Sequence, residues 1–380
     1  MQTSFKISAT FLCCVLLGLA AAQAVEQQDT KSFVYKKTKQ ADLEIVIHYL
    51  PGWKETDQRP AIVFFFGGGW NNGTIKQFEP QANHLASRGM VAARADYRVK
   101  SRHEVTPKEC VEDAKSAVRW MRQNHAKLGI CPAQIVAAGG SAGGHIAACT
   151  AFTPGLEAQG EDTSLSSKPD ALVLFNPVLR FTAIPELMGR IGNDEALGKA
   201  ISPTLHLTKD SPPTLIFFGT ADRLAAMGDE FMKKSKELGH PAELFTAEGQ
   251  PHGFFNRPPW QEKTTKRMDE FLVSIGHLEG KATSDPPTGT KTSMKGWELY
   301  VWQRDGDTYF SLLPGTNRLK TDAEIAAAAA KGIDAIKPKL DELKAGEMVL
   351  IHGKRLGDGP PNDQANLLRE HSRKIGLNAQ

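Results

Sequence analysis

The chain has 380 residues, with 46 lysines and arginines against 43 aspartates and glutamates and a formal charge of +3, enough for one large domain or a large one with a small companion. Its 41% hydrophobic and 23% charged residues are ordinary globular composition and exclude wholesale disorder. A charge this close to balance, with no basic run, leaves no electrostatic footprint for nucleic acid.

The first element reads as a targeting signal. Lys6 precedes an apolar run from about Ala9 to Ala22, and Ala22-Gln23-Ala24 has the small-x-small pattern that a signal peptidase reads. The run is shorter than the about 20 residues that span a bilayer. Residues 1–24 are expected to be a signal peptide, leaving an exported (periplasmic or secreted) protein without a stable membrane span; the alternative is an uncleaved anchor or a buried helix. Cleavage near Val25 leaves Cys110, Cys131 and Cys149, an odd number that cannot all pair within the chain. A helix of about 15 residues between Cys110 and Cys131 would separate them by about 22 Å, far beyond disulfide reach. No structural disulfide is expected.

Residues 33–50 alternate as a strand does, with Leu43, Ile45 and Ile47 on one face, and Pro51-Gly52 closes them. Ala61–Phe66 is continuously apolar and reads as a strand buried on both faces. A helix over Pro80–Ser87 and a strand over Met90–Ala95 follow. Thr106-Pro107-Lys108-Glu109 fits a capping box with proline at the first helical position, opening a helix to about His125. Strand Gln134–Ala138 leads into a glycine cluster and a helix over His145–Thr150. Further strands are expected at Ala171–Phe175, Thr214–Phe218 and Ala242–Thr246, with helices at Gly228–Leu238 and Trp260–Ile275. Residues 181–211, weakly periodic and rich in proline, read as a cap or irregular excursion. This alternation argues an α/β fold with a doubly wound, mainly parallel sheet covered on both faces.

Residues 281–294 are rich in Pro, Gly, Ser and Thr and read as a linker between a catalytic body over 25–280 and a small α+β unit over 295–380. In that unit a hairpin is expected around Asp305-Gly306, with a loop longer than the minimal type. Helices ending near Ile336 and over Asn366–Ile375 and a strand over Glu347–His352 complete it. Trp297, Tyr300 and Trp302 read more readily as core than as a sugar platform.

The chemistry is concentrated in Gly139-Gly140-Ser141-Ala142-Gly143-Gly144-His145, between an apolar strand and a helix. That is the setting of a Gly-x-Ser-x-Gly nucleophile elbow. The turn is so sharp that the positions two residues either side of the serine must lack side chains. It also leaves the Ala142 N–H at a helix start, where negative charge is favoured. The alternative, a phosphate-cradling loop, would need Gly-Lys-Ser/Thr or Gly-x-Gly-x-x-Gly, and neither is present. Upstream, Gly67-Gly68-Gly69-Trp70 follows the first apolar strand, where inward-turned amides can hold an oxyanion.

A serine nucleophile needs a base, and the base needs an orienting carboxylate. In the chain order Ser, acid, His, His252 in Gln250-Pro251-His252-Gly253-Phe254-Phe255 is the best base. His240 and His277 read as solvated, and His145 is too near in sequence to reach over Ser141. Asp222, just past the strand Thr214–Phe218, leads for the acid, with Glu248 the main rival and Asp229 a weaker one. Phe254, Phe255 and Trp260 suit an acyl or sugar pocket and core packing equally. No His-Glu-x-x-His, Cys-x-x-Cys pair or calcium-loop spacing occurs, so no metal or other cofactor is expected.

Together these motifs resemble the α/β-hydrolase superfamily, and within it the hormone-sensitive-lipase-like carboxylesterases and exported acetyl or feruloyl carbohydrate esterases. The resemblance covers about residues 33–277. It implies Ser141, Asp222 and His252 as a triad, with the Gly68, Gly69 and Ala142 amides as oxyanion hole. Phe66 stands where that family usually has histidine before its glycines. The implied function is hydrolysis of short-chain acyl or carbohydrate esters through an acyl-enzyme, the partner being a small-molecule or carbohydrate ester. The alternatives are a serine peptidase of the same fold and a catalytically silent carbohydrate-binding protein.

Overall fold

The structure, a computed structural model, describes residues 29–280 and the backbone of 290–294, 297–304, 307–314, 348–353 and 378–379. The expected signal peptide over 1–24 and the two C-terminal helices lie outside the described residues.

Eight strands form one sheet: β1 (Asp29–Lys37), β2 (Asp42–Tyr49), β3 (Arg59–Phe65), β4 (Val91–Ala95), β5 (Ile130–Gly140), β6 (Ala171–Phe175), β7 (Thr214–Gly219) and β8 (Ala242–Ala247). Their order is β1-β2-β4-β3-β5-β6-β7-β8. β1 and β2 run antiparallel to their neighbours, and every pairing from β4 to β8 is parallel. The alternating stretch 33–50 is therefore two strands, not one. Thr38 turns the chain between them, its Oγ1 donating to Ala41 O at 2.9 Å and accepting from Ala41 N at 3.0 Å.

The helices that cover the sheet are α1 (Glu79–Ser87), α2 (Pro107–Gln123), α3 (Ala142–Phe152), α4 (Ala225–Leu238) and α5 (Trp260–Ser274). α2 opens on the expected capping box of Thr106 and Glu109. α4 ends at Gly239 in a left-handed conformation, as a helix stop requires. Because strand side chains alternate, β3 feeds two cores. Ala61, Val63 and Phe65 belong to the core that α2, α3 and α4 cover, while Ile62 and Phe64 belong to the one that α1 and α5 cover. That double burial is why the run has no polar residue. Residues 181–211 are a cap of short helical segments, including Pro185–Met188 and Glu195–Ala200, seated on the first core through Phe181, Leu187 and Ile191.

A second sheet has the order β13-β12-β11-β10-β9, from β9 (Thr290–Met294), β10 (Trp297–Arg304), β11 (Asp307–Pro314), β12 (Met348–Gly353) and β13 (Asn378–Ala379). Arg304 pairs with Asp307, so the two strands stay paired closer to Asp305-Gly306 than expected. β9, antiparallel to β10, falls in the stretch read as linker; its Thr-rich composition serves an edge strand as well as a connection. No helix among the described residues is long and apolar enough to cross a membrane. Cys110, Cys131 and Cys149 are all unpaired.

Candidate active site

β5 delivers the chain to Gly140, and α3 begins at Ala142. Ser141, between them, has φ 54° and ψ −118°, a strained conformation for a residue with a side chain. The flanking glycines make the turn sterically feasible. A Cβ on Gly139 would lie 2.5 Å from Gly143 C and 2.7 Å from Phe65 O, and one on Gly143 would lie 2.1 Å from Phe65 O. The strain is held from outside: Ser141 N donates to Phe175 O at 2.8 Å, and His145 N to Ser141 O at 2.9 Å.

Ser141 Oγ lies 2.8 Å from His252 Nε2, and His252 Nδ1 lies 2.7 Å from Asp222 Oδ2. The Asp222 side chain is fully buried, and its other oxygen accepts from Leu224 N at 2.9 Å. An ionised carboxylate can only accept. It therefore orients the imidazole with the proton on Nδ1 and leaves Nε2 open to accept from the serine hydroxyl. The three residues come from the ends of β5, β7 and β8, at the carboxyl edge of the sheet, so parallel pairing brings distant sequence positions together. Glu248 and Asp229 are exposed, and neither carboxylate is bonded to His252.

The glycine loop lies beside Ser141. A Cβ on Gly67 would sit 2.9 Å from Gly140 O and 3.3 Å from Ser141 Cβ. Gly68, Gly69 and Trp70 have φ of 122°, 63° and 58°. Among the described residues the N–H groups of Gly68, Gly69 and Ala142 donate to no protein acceptor, so all three expected oxyanion donors are unengaged. The loop is anchored on several sides. Gly67 N donates to Gln77 Oε1 at 2.6 Å, and Gln77 Nε2 to Asn256 Oδ1 at 3.0 Å. Arg190 Nη1 donates to Gly69 O at 2.9 Å. Trp70 Nε1 donates to His145 Nδ1 at 3.2 Å, and His145 Nε2 bonds Ile201 O at 2.7 Å. Burial lowers the His145 pKa to about 4, so this histidine is a neutral connector.

Phe66 replaces a polar anchor with packing. Its ring stacks on Tyr97 at 4.2 Å, and Tyr97 Oη donates to Phe66 O at 2.7 Å. Phe254 and Phe255 are core, with Phe255 against Phe175 and Phe78 under Gly140. Two expectations fail. His240 and His277 are buried, not solvated, because the chain after each helix folds back: His240 bonds Ser235 Oγ and Pro212 O, and His277 N bonds Leu272 O.

Sequence reasoning missed Asn176. It follows β6 with φ 38°, is fully buried, and accepts from Gly253 N at 2.9 Å; its Nδ2 stands 3.5 Å from His252 Nε2. A positive φ shows only in the structure, although Asn-Pro at a strand end is a turn signal.

Several known proteins are similar to this chain. The BD-FAE family matches residues 43–229. Carboxylesterase NlhH of Mycobacterium tuberculosis is 32% identical over 29% of this chain and 34% of its own length. A probable isoprenylcysteine alpha-carbonyl methylesterase, ICMEL1 of Oryza sativa subsp. japonica, is 28% identical over 72% of this chain and 70% of its own. The alignment thus spans about a third of the mycobacterial enzyme. Among solved structures, the apo form of Thermogutta terrifontis esterase 2 is 47% identical, with a TM-score of 0.64 over 66% of this chain and 97% of that one. The same esterase has been solved with propionate bound, 47% identical with a TM-score of 0.63 over 66% of this chain and 96% of that one.

Proposed function

The chain belongs to the α/β-hydrolase family of esterases, and from that premise we propose that it is a serine carboxylesterase acting on small esters with short acyl groups, carbohydrate esters among them. The observation that carries the proposal is the hydrogen-bonded line Ser141–His252–Asp222 beside three unengaged amides. Ser141 Oγ attacks the ester carbonyl as His252 Nε2 takes its proton, and Asp222 stabilises the imidazolium. The Gly68, Gly69 and Ala142 amides receive the developing oxyanion, a contribution of about 3 kcal/mol per donor in related chemistry. His252 returns its proton to the leaving alcohol. Water, deprotonated by the same imidazole, then releases the acid from the acyl-enzyme.

The short-acyl part of the reading draws on Thermogutta terrifontis esterase 2, which has been solved with propionate bound. We further propose export, from the apolar run at the N-terminus. The test is turnover of p-nitrophenyl esters of increasing chain length by the pure full-length protein and by Ser141→Ala. The expected result is highest kcat/KM on short chains and loss of activity in the variant. A variant with near wild-type turnover overturns the proposal.

A further inference from the structure

The arginines fall into two groups. Most of those among the described residues, from Arg59 on Asp57 to Arg267 on Glu243, are ion-paired with a carboxylate. Arg190, Arg223 and Arg257 are the exceptions: they are exposed and have no carboxylate partner among the described residues. All three belong to segments that build the site. Arg190, in the cap, bonds the Gly69 carbonyl and lies 5.7 Å over the Trp70 ring. Arg223 directly follows Asp222. Arg257 closes the turn Phe254–Asn256 after His252, its N donating to Phe254 O, and Asn256 bonds the Gln77 that holds Gly67.

Carboxylates are near in sequence and are not used. Glu186, Asp194 and Glu195 share the cap with Arg190, yet none pairs with it; Asp194 instead caps Leu197 N at 2.9 Å. A cavity of about 380 Å³ remote from the triad shows the opposite treatment, its Lys115 and Arg119 being neutralised by Glu157 and Glu161. Uncompensated cations repel one another and raise the local potential, and that cost is offset when an anion arrives. A guanidinium fork matches the two oxygens of a carboxylate.

Building on the esterase reading, we propose that the substrate carries an anionic group, a carboxylate in the simplest case, within a few bonds of the scissile ester, and that Arg190, Arg223 and Arg257 receive it. Arg190 has only Nη1 committed to Gly69 O, so the rest of its fork is available. Binding an anion there also steadies the oxyanion loop through the Gly69 carbonyl.

The experiment compares kcat/KM for matched esters by acid-release titration with the full chain. Monoethyl succinate is set against ethyl butyrate for an anion on the acyl side, and 3-butyryloxybenzoate against phenyl butyrate for one on the alcohol side. In at least one pair the anionic ester should be favoured about tenfold or more at low salt, with the advantage shrinking at high salt as screening sets in. The double variant Arg223→Gln/Arg257→Gln should lose most of that ratio, whereas Arg59→Gln, which alters a paired arginine, should keep it. Equal or better turnover of the neutral ester in both pairs at low salt overturns the proposal and leaves the esterase reading intact. So does a wild-type ratio in a folded double variant. Inactivity toward all four esters overturns both.

Discussion

Trp70 donates its indole N–H to His145 Nδ1 at 3.2 Å, which ties the loop carrying the expected oxyanion donors to the helix that follows Ser141. Both rings are buried, and they meet edge-on at 5.1 Å. His145 continues the link to Ile201 O in the cap, so one neutral imidazole joins three segments of the site.

Trp70→Phe should therefore cost more than a surface change. It leaves Nδ1 of a buried histidine without a partner, a loss of about 1–3 kcal/mol, and frees one anchor of the glycine loop. The expected result is a lower thermal midpoint together with a fall in kcat larger than any rise in KM. Unchanged kcat would show that the loop does not depend on this bond.

The same burial predicts a pH dependence of stability. His145 and His48 both have their pKa lowered from 6.5 to about 4, His145 through burial and His48 through burial and the neighbouring Arg94. Their folded values lie below the unfolded ones, so the unfolded state binds more protons in between. Their contribution is complete above about pH 6.5 and is lost as pH falls through about 4. Urea midpoints should decline across that window; a flat profile would contradict the assignment.

Gly143→Ala tests the elbow. Its Cβ would lie 2.1 Å from Phe65 O and 2.3 Å from Phe66 O, backbone atoms that cannot rotate away. Overpacking of this kind costs about 1–3 kcal/mol or more. The expected outcome is poor folding, or a folded protein whose esterase activity is nearly gone. A stable and fully active variant would disprove the steric account.

Much of this site was legible in the sequence because its logic is local. The glycines around Ser141 follow from the turn itself, and Asp222 and His252 follow from the Ser, acid, His chain order of the α/β-hydrolases that the motifs resemble. What was not legible depends on contacts between distant segments. The Trp70–His145 bond and the bond from Gly253 to the strained Asn176 pair residues 75 and 77 positions apart in the chain. His240 and His277 were misjudged for a more local reason: a position just past a helix looks solvated until the chain folds back over it. The turn inside 33–50 escaped because Thr38 and Ala41 carry no glycine or proline signal.

Asn176→Ala should expose one of those hidden dependencies. It removes the acceptor for Gly253 N, and with it the group that fixes the backbone next to His252. A drop in kcat of about tenfold is expected as the backbone beside His252 loosens and the imidazole leaves its alignment with Ser141, with KM less affected. Wild-type kinetics in a folded variant would remove Asn176 from the account.

The central claim is that Ser141 is the nucleophile activated by His252 and Asp222, and the most direct measurement is covalent labelling. The full-length protein is treated with a fluorophosphonate, and intact-mass and peptide analysis locate the adduct. The account predicts one adduct per chain, on the peptide containing Ser141, absent in Ser141→Ala and much slower to form in His252→Ala and Asp222→Asn. An adduct on another residue, or undiminished labelling of Ser141→Ala, would contradict it.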